Sequence, residues 1–156
     1  MAKYGFLEKL EEALDQHFPY DYELNWDKKN HAVELAFIIE AQNSSGIETI
    51  DEDGTATSED ICLEEYVLFY NQDKSRFDAA DYLVALPFDA KKGLSVEFLT
   101  YFAGFLKETA DQGLDDLMDF LANPEAQEFA IAWDSDGFEK GRADLVEGEF
   151  YPYPRY

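Results

Sequence analysis

The side chains with the plainest chemical potential in this chain are its two histidines and one cysteine, His17, His31 and Cys62. A thiol beside an imidazole base makes a nucleophile, but the separations here match no signature of such a pair. Each has a simpler reading. His17 falls on the apolar stripe of an expected helix as a core or boundary histidine, and His31 flanks a turn. Cys62, between Ile61 and Leu63, reads as a small buried hydrophobe. There is no Walker A loop, dinucleotide fingerprint, paired CxxC or HExxH, and no cofactor is expected.

Carboxylates are the abundant functional group. Asp51-Glu-Asp-Gly-Thr-Ala-Thr-Ser-Glu-Asp60 gathers hard oxygen ligands around a glycine, the ingredients of a calcium loop. The register fails. With Gly54 at the sixth loop position, Thr49 stands at the first and Asp60, not glutamate, at the twelfth. Asp134-Ser-Asp-Gly137 fails likewise, since its first position is Ala132. Adjacent acids such as Glu64-Glu65 or Asp115-Asp116 arise by chance among 35 acids and carry no catalytic weight. No metal site is therefore assigned.

Charge is more informative than any motif. The 35 acids against 12 bases give a net charge of −23, which disfavours nucleic-acid phosphates and anionic membranes as direct partners and leaves basic or metallic partners, a basic protein foremost, as the expected kind. No Lys or Arg occurs between Lys29 and Lys74 or between Lys107 and Lys140. Bases gather instead at turns, as Lys28-Lys29, Lys74 with Arg76, and Lys91-Lys92. If the elements carrying the two base-free spans are neighbours, they merge into one negative surface; the plainer alternative is a charge excess that serves solubility alone. The expected partner-binding residues are Asp51, Glu52, Asp53, Glu59 and Asp60, on a mobile acidic loop at about 44–60 within a single domain, 1–156.

The positioning elements follow from periodicity. Phe98, Tyr101, Phe102, Phe105, Leu106 and Thr109 recur every three or four residues, an aromatic helical stripe that needs a sheet to cover. The phase continues through Leu114, Leu117 and Leu121. Gly113 disfavours helix by about 1 kcal/mol relative to alanine, so a kink or break near it stays open. Ser95 is the expected N-cap, with Glu97 at the positive end of the dipole. An amphipathic helix is predicted from Lys3 to Phe18, ended by Pro19. Tyr20, Tyr22, Leu24 and Trp26 alternate as a strand, Asp27-Lys-Lys-Asn30 turns, and His31–Ala41 returns with Val33, Leu35, Phe37 and Ile39 on one face. Strands at Ile61–Asn71 and Tyr82–Phe88 complete an expected antiparallel meander. A short fifth strand is predicted at Phe129–Trp133 and a last helix at Asp136–Val146. The aromatic, proline-broken end Phe150–Tyr156 should lie extended against the body.

The fold class read from this is α+β: a single antiparallel sheet of four to five strands, with an N-terminal helix and a long aromatic-striped helix packed against it. At 156 residues and 46% apolar composition, such a core is within reach of one domain. The early charges in Met-Ala-Lys-Tyr-Gly-Phe-Leu-Glu-Lys-Leu and the lack of any long apolar run make a soluble cytoplasmic protein the expectation.

Asn25-Trp-Asp-Lys-Lys-Asn-His-Ala-Val-Glu34, Tyr66-Val-Leu-Phe-Tyr-Asn71, Gly113-Leu-Asp-Asp-Leu-Met-Asp-Phe-Leu121 and Glu149-Phe-Tyr-Pro-Tyr-Pro-Arg-Tyr156 together resemble the family called domain of unknown function 3013, small acidic proteins of low-GC Gram-positive bacteria. The resemblance spans essentially the whole chain. It implies a single-domain cytoplasmic bacterial protein and brings no reaction, ligand or catalytic residue with it. Two functional readings result. One is a non-enzymatic acidic interaction protein that docks a basic partner, for example an immunity-type or nucleic-acid-mimicking inhibitor. The other is an enzyme or ligand-binding protein with a pocket between sheet and long helix, rimmed by Tyr66, Tyr70 and Tyr101.

Overall fold

The structure, a computed structural model, describes residues 5–41, 49–50, 56–57, 61–122 and 131–154. Helix α1 (Phe6–His17) buries Phe6, Leu10, Ala13 and Leu14 along one stripe and ends where the Phe18 N–H bonds to the Leu14 carbonyl, just before Pro19. Phe18 is buried, and His17, expected on the same stripe, is exposed. The helix has run out at that point, and the aromatic ring takes the inward place.

Strand β1 (Tyr22–Asp27) pairs antiparallel with β2 (Ala32–Ala41), from Tyr22 opposite Phe37 to Asp27 opposite Ala32. Asp27 Oδ1 accepts the Asn30 N–H at 3.3 Å, so the turn begins as its sequence predicts. The left-handed residue is His31, at φ 52°, one place beyond the asparagine favoured by sequence. Within the acidic stretch, the described β3 (Thr49–Ile50) and β4 (Ala56–Thr57) form a two-residue antiparallel ladder.

Strand β5 (Ile61–Tyr70) pairs antiparallel along the full length of β2, which makes β2 central. The sheet order is β1-β2-β5-β6, with β6 at Val84–Pro87. Here the expected meander needs correcting, because β6 runs parallel to β5, Val67 opposite Val84 and Phe69 opposite Leu86. The connection, residues 71–83, is long enough to carry the chain back to the same end without a full helix. It contains only a 3-10 turn at Ala79–Asp81, and its Phe77 ring sits 4.7 Å from Tyr70 and 6.0 Å from Tyr82. Apolar contacts with the sheet therefore stand in for the usual crossover helix.

A short strand β7 (Leu94–Ser95) leads into α2 (Val96–Ala122), which continues through Gly113 without a break. The glycine has a packing reason. A Cβ at this position would lie 3.3 Å from the Ile131 side chain, so the missing methyl lets that residue close on the helix. The alternation that suggested a fifth strand comes from the same contact. Ile131–Trp133 is irregular chain with Ile131 against Gly113 and Trp133 ringed by Phe102 and Phe105, and Phe129 and Ala130 lie outside the described residues.

The predicted stripe of α2 is split between two partners. Phe102 stacks edge-on to Phe69 of the sheet at 5.2 Å, while Tyr101 and Phe105 are covered by Phe138 of α3 (Ser135–Ala143) at 5.2 and 5.0 Å. Phe98, Leu99, Phe102, Ala103, Leu106 and Ala110 are wholly buried with Val33, Leu35, Phe37 and Ile39 in one core. α1 lies on that same face, with Phe6 near Phe69 and Phe18 near Phe37.

The C-terminal segment docks as expected through Pro154, the last described residue. Strand β8 (Phe150–Tyr151) pairs with β7, the Phe6 N–H bonds to the Pro152 carbonyl at 2.9 Å, and Trp26 Nε1 donates to the Tyr153 hydroxyl at 2.7 Å. The start of α2 is held in the same place. Ser95 Oγ accepts the Phe98 N–H at 2.9 Å and donates to Glu147, and Glu97 Oε1 accepts the N–H groups of Gly148 and Glu149.

Candidate interaction surface

Two faces of the sheet carry different chemistry. Pairing register puts Val33, Leu35, Phe37 and Ile39 with Leu63, Val67 and Phe69 on the core face. It puts Glu34, Ala36, Ile38 and Glu40 with Leu68, Tyr66, Glu64 and Cys62 on the outer face, joined by Glu23 and Asn25 of β1. Glu64 and Glu65, adjacent in sequence, thus point to opposite faces. The 71–83 connection crosses the outer face near the hairpin end, where the Tyr82 hydroxyl reaches Glu34 at 3.4 Å.

Four of the twelve bases meet at that hairpin end. Asn30 exchanges two hydrogen bonds with the Arg76 backbone, at 2.7 and 2.8 Å, which draws Lys28 and Lys29 alongside the Lys74–Arg76 segment. The opposite end holds Glu40 and Glu64. α2 arrives there too, because the Tyr20 hydroxyl, just before β1, donates to Asp111 at 2.5 Å. Beyond Asp111, α2 presents exposed Asp115, Asp116 and Asp119, and its last turn has no base. Parts of the two base-free spans, Glu40 and Glu64 of one and the described acids Asp111 to Asp119 of the other, therefore lie toward the same end of the sheet. Carboxylates at a helix C-terminus oppose the helix dipole, so their placement works against local stability.

Tyrosine phenols recur as carboxylate partners, which the sequence did not disclose. Tyr22 donates to Asp15 at 2.5 Å, Tyr66 to Glu64, and Tyr151 to Glu149 at 3.0 Å, in addition to Tyr20 and Tyr82. Burial first and the acceptor second push the Tyr20 and Tyr22 phenols well above their ordinary range. Lys107 and Tyr20 hold the Asp111 carboxyl below its ordinary value. Tyr66 with Glu64 and Tyr151 with Glu149 stand two apart in the chain, whereas the Tyr20 and Tyr82 pairs are long-range.

The five loop acids Asp51, Glu52, Asp53, Glu59 and Asp60 lie outside the described residues. Cys62 and His31 do not converge. Cys62 stands opposite Glu40 at one end of β2 and His31 precedes Ala32 at the other, about 30 Å away at strand rise. Cys62 is exposed, contrary to the buried reading, because β5 turns this residue to the outer face; partial desolvation, then Glu40 and Glu64, raise its pKa. The tyrosine-rimmed pocket does not assemble either. Tyr66 and Tyr70 lie on the outer face, whereas Tyr101 is on α2 with its hydroxyl donating to the Phe138 carbonyl at 2.8 Å. Asp134 of the second calcium-like stretch is the N-cap of α3, accepting the Gly137 N–H at 3.0 Å. Among the described residues, no group of three or more His, Cys, Asp or Glu is placed to hold a metal ion.

The family model described as "Protein of unknown function (DUF3013)" matches residues 1–155. The chain belongs to that family. This DUF3013 protein is also similar to a solved structure, that of a conserved protein of unknown function from Enterococcus faecalis, at 36% identity. The match covers 99% of this chain and 98% of the other, with a TM-score of 0.85, so the two share the whole fold. No curated protein matches this DUF3013 chain. Among the described residues, no helix is long and apolar enough to cross a membrane.

Proposed function

We propose that the protein is a non-enzymatic acidic interaction protein that docks a basic protein partner. The observation that carries this reading is charge segregation: the Tyr20–Asp111 contact brings the acidic half of α2 to the Glu40–Glu64 end of the sheet, while Lys28, Lys29, Lys74 and Arg76 are gathered at the other end. A charge excess serving solubility alone would be expected to disperse over the surface. Here four of the bases are gathered at one end, and beyond the Lys107–Asp111 pair α2 presents Asp115, Asp116 and Asp119 with no base, Asp119 standing in the last turn against the helix dipole. An inhibitor that occupies the cationic groove of a nucleic-acid-binding enzyme, or an immunity-type protein, is the concrete form of this reading.

The test is a pull-down from native lysate at low salt, eluted by a salt gradient. A specific partner should be basic and should elute as the Debye length shortens from about 10 Å at 0.1 M toward 3 Å at 1 M. Retention of no basic protein at low salt would sink the reading. Changing Asp51, Glu52, Asp53, Glu59 and Asp60 to Asn or Gln in the same assay asks whether the loop shares the surface.

A further inference from the structure

Strands β1, β2 and β5 contain no lysine or arginine. On their outer face, beyond the part reached by the 71–83 connection, register places Glu23 opposite Ala36, Ile38 opposite Glu64 and Glu40 opposite Cys62. Ala36 and Ile38 are half-buried, and Glu23, Glu40, Glu64 and Cys62 are exposed. Ile38 thus stands at the centre of a small apolar spot with carboxylates on three sides. No carboxylate is directly opposite another, which limits the like-charge penalty and lets the face hold several acids without a basic partner on the sheet. An apolar centre with a charged rim is the anatomy of a protein interface.

From this we infer that the Ile38 face docks a basic amphipathic helix of the partner, and this rests on the basic-partner reading above. A strand is the wrong occupant, because the backbone groups of β2 are already paired on both sides and offer no ladder. A helix brings its own backbone bonds satisfied, and its width of about 10 Å spans three strands spaced about 4.8 Å apart. Its apolar stripe meets Ile38 and Ala36, and its lysines and arginines meet Glu23, Glu40 and Glu64. A second copy of this chain is disfavoured, since apposing two such faces would bring carboxylates together without bases.

The probe is a synthetic helical lysine–leucine peptide with one apolar stripe, titrated at low salt into the isotopically labelled protein and followed by amide chemical shifts. The expected result is that shifts concentrate at Glu23, Ala36, Ile38 and Glu64. The triple variant Glu23→Gln, Glu40→Gln, Glu64→Gln and the single variant Ile38→Lys should each weaken binding at least tenfold. Asp136→Asn, Glu139→Gln, Asp144→Asn removes as many charges from exposed positions of α3 and its end and should change it less than twofold. Equal losses from the two triple variants, an indifferent Ile38→Lys, or no binding at all would overturn the inference. If only the α2 variant Asp115→Asn, Asp116→Asn, Asp119→Asn weakens binding, this surface is wrong and the basic-partner reading survives. If neither this peptide nor a lysine-only peptide binds, the broader reading falls too. Conversion of a wild-type dimer to monomer by Ile38→Lys in sedimentation would instead make the face a self-interface, and would also overturn it.

Discussion

Tyr20 and Asp111, 91 residues apart, are joined by a 2.5 Å phenol–carboxylate hydrogen bond that fixes the acidic half of α2 beside the start of the sheet. The same carboxylate accepts Lys107 Nζ at 2.8 Å from one helical turn earlier. Tyr20→Phe should cost about 1 kcal/mol in denaturant unfolding, below the roughly 1.5 to 3 kcal/mol of a well-buried bond to a charged group because the site is only partly buried. An unchanged midpoint would mean that the bond does not position α2.

Low pH separates local from global electrostatics. Asp111, Glu97 and Asp89 are held below their ordinary values, by Lys107 and Tyr20, by the Glu149 and Gly148 N–H groups, and by the Lys92 and Lys91 N–H groups respectively. A depressed carboxylate contributes stability that is present above its unfolded value, about pH 4, and is lost as pH falls through its folded value. Relief of the self-repulsion of a chain at −23 acts in the opposite direction. The difference between wild type and Glu97→Gln in melting temperature should therefore shrink as pH is lowered from 7 to 3. A difference that stays constant would show that the Glu97 clasp contributes nothing through its charge.

Phe102 touches the sheet through Phe69 and the C-terminal cover through Trp133 and Phe138. Phe102→Ala should destabilise by about 3 to 5 kcal/mol. A loss under about 1 kcal/mol would remove this stripe from the core.

Gly93 and Gly5 lock the C-terminal segment. Both have positive φ, 80° and 50°, and a Cβ would stand 1.9 Å from the Tyr151 carbonyl oxygen or 2.1 Å from that of Pro152. Gly93→Ala should cost more than about 1 kcal/mol and should raise amide exchange at Phe6, whose N–H is bonded to Pro152. Full stability with slow Phe6 exchange would contradict the close approach.

Cys62 is exposed, yet its thiol is harder to ionise than usual, through desolvation and then Glu40 and Glu64. At pH 8 its alkylation should be slower than that of free cysteine, and Glu40→Gln with Glu64→Gln should speed it several-fold. Alkylation faster than free cysteine would revive a nucleophilic role.

Elements whose cause is local were legible in the sequence. The Ser95 cap, the α1 stripe, the β1–β2 alternation and the acceptor role of Asp27 in its turn depend on residues within one or two turns of each other, and the structure has all four. The family resemblance was legible too, since it rests on whole segments. Features decided by long-range contact were not. The direction of β6 depends on where Phe77 and Tyr82 settle on the sheet, and the continuity of α2 depends on Ile131 filling the space left by Gly113. The alternation of Ile131 and Trp133 looked like a strand because chain packed against one helix also presents every second residue inward. Exposure of His17 and Cys62 was set by a helix end and a strand face, which composition cannot register. The sequence by itself determined that the charge is large, negative and divided into two base-free spans. Only the tertiary structure decided that Glu40 and Glu64 of one span and the acidic half of α2 from the other lie toward the same end of the sheet, because that depends on Tyr20 and Asp111 meeting across a fold that no local pattern specifies.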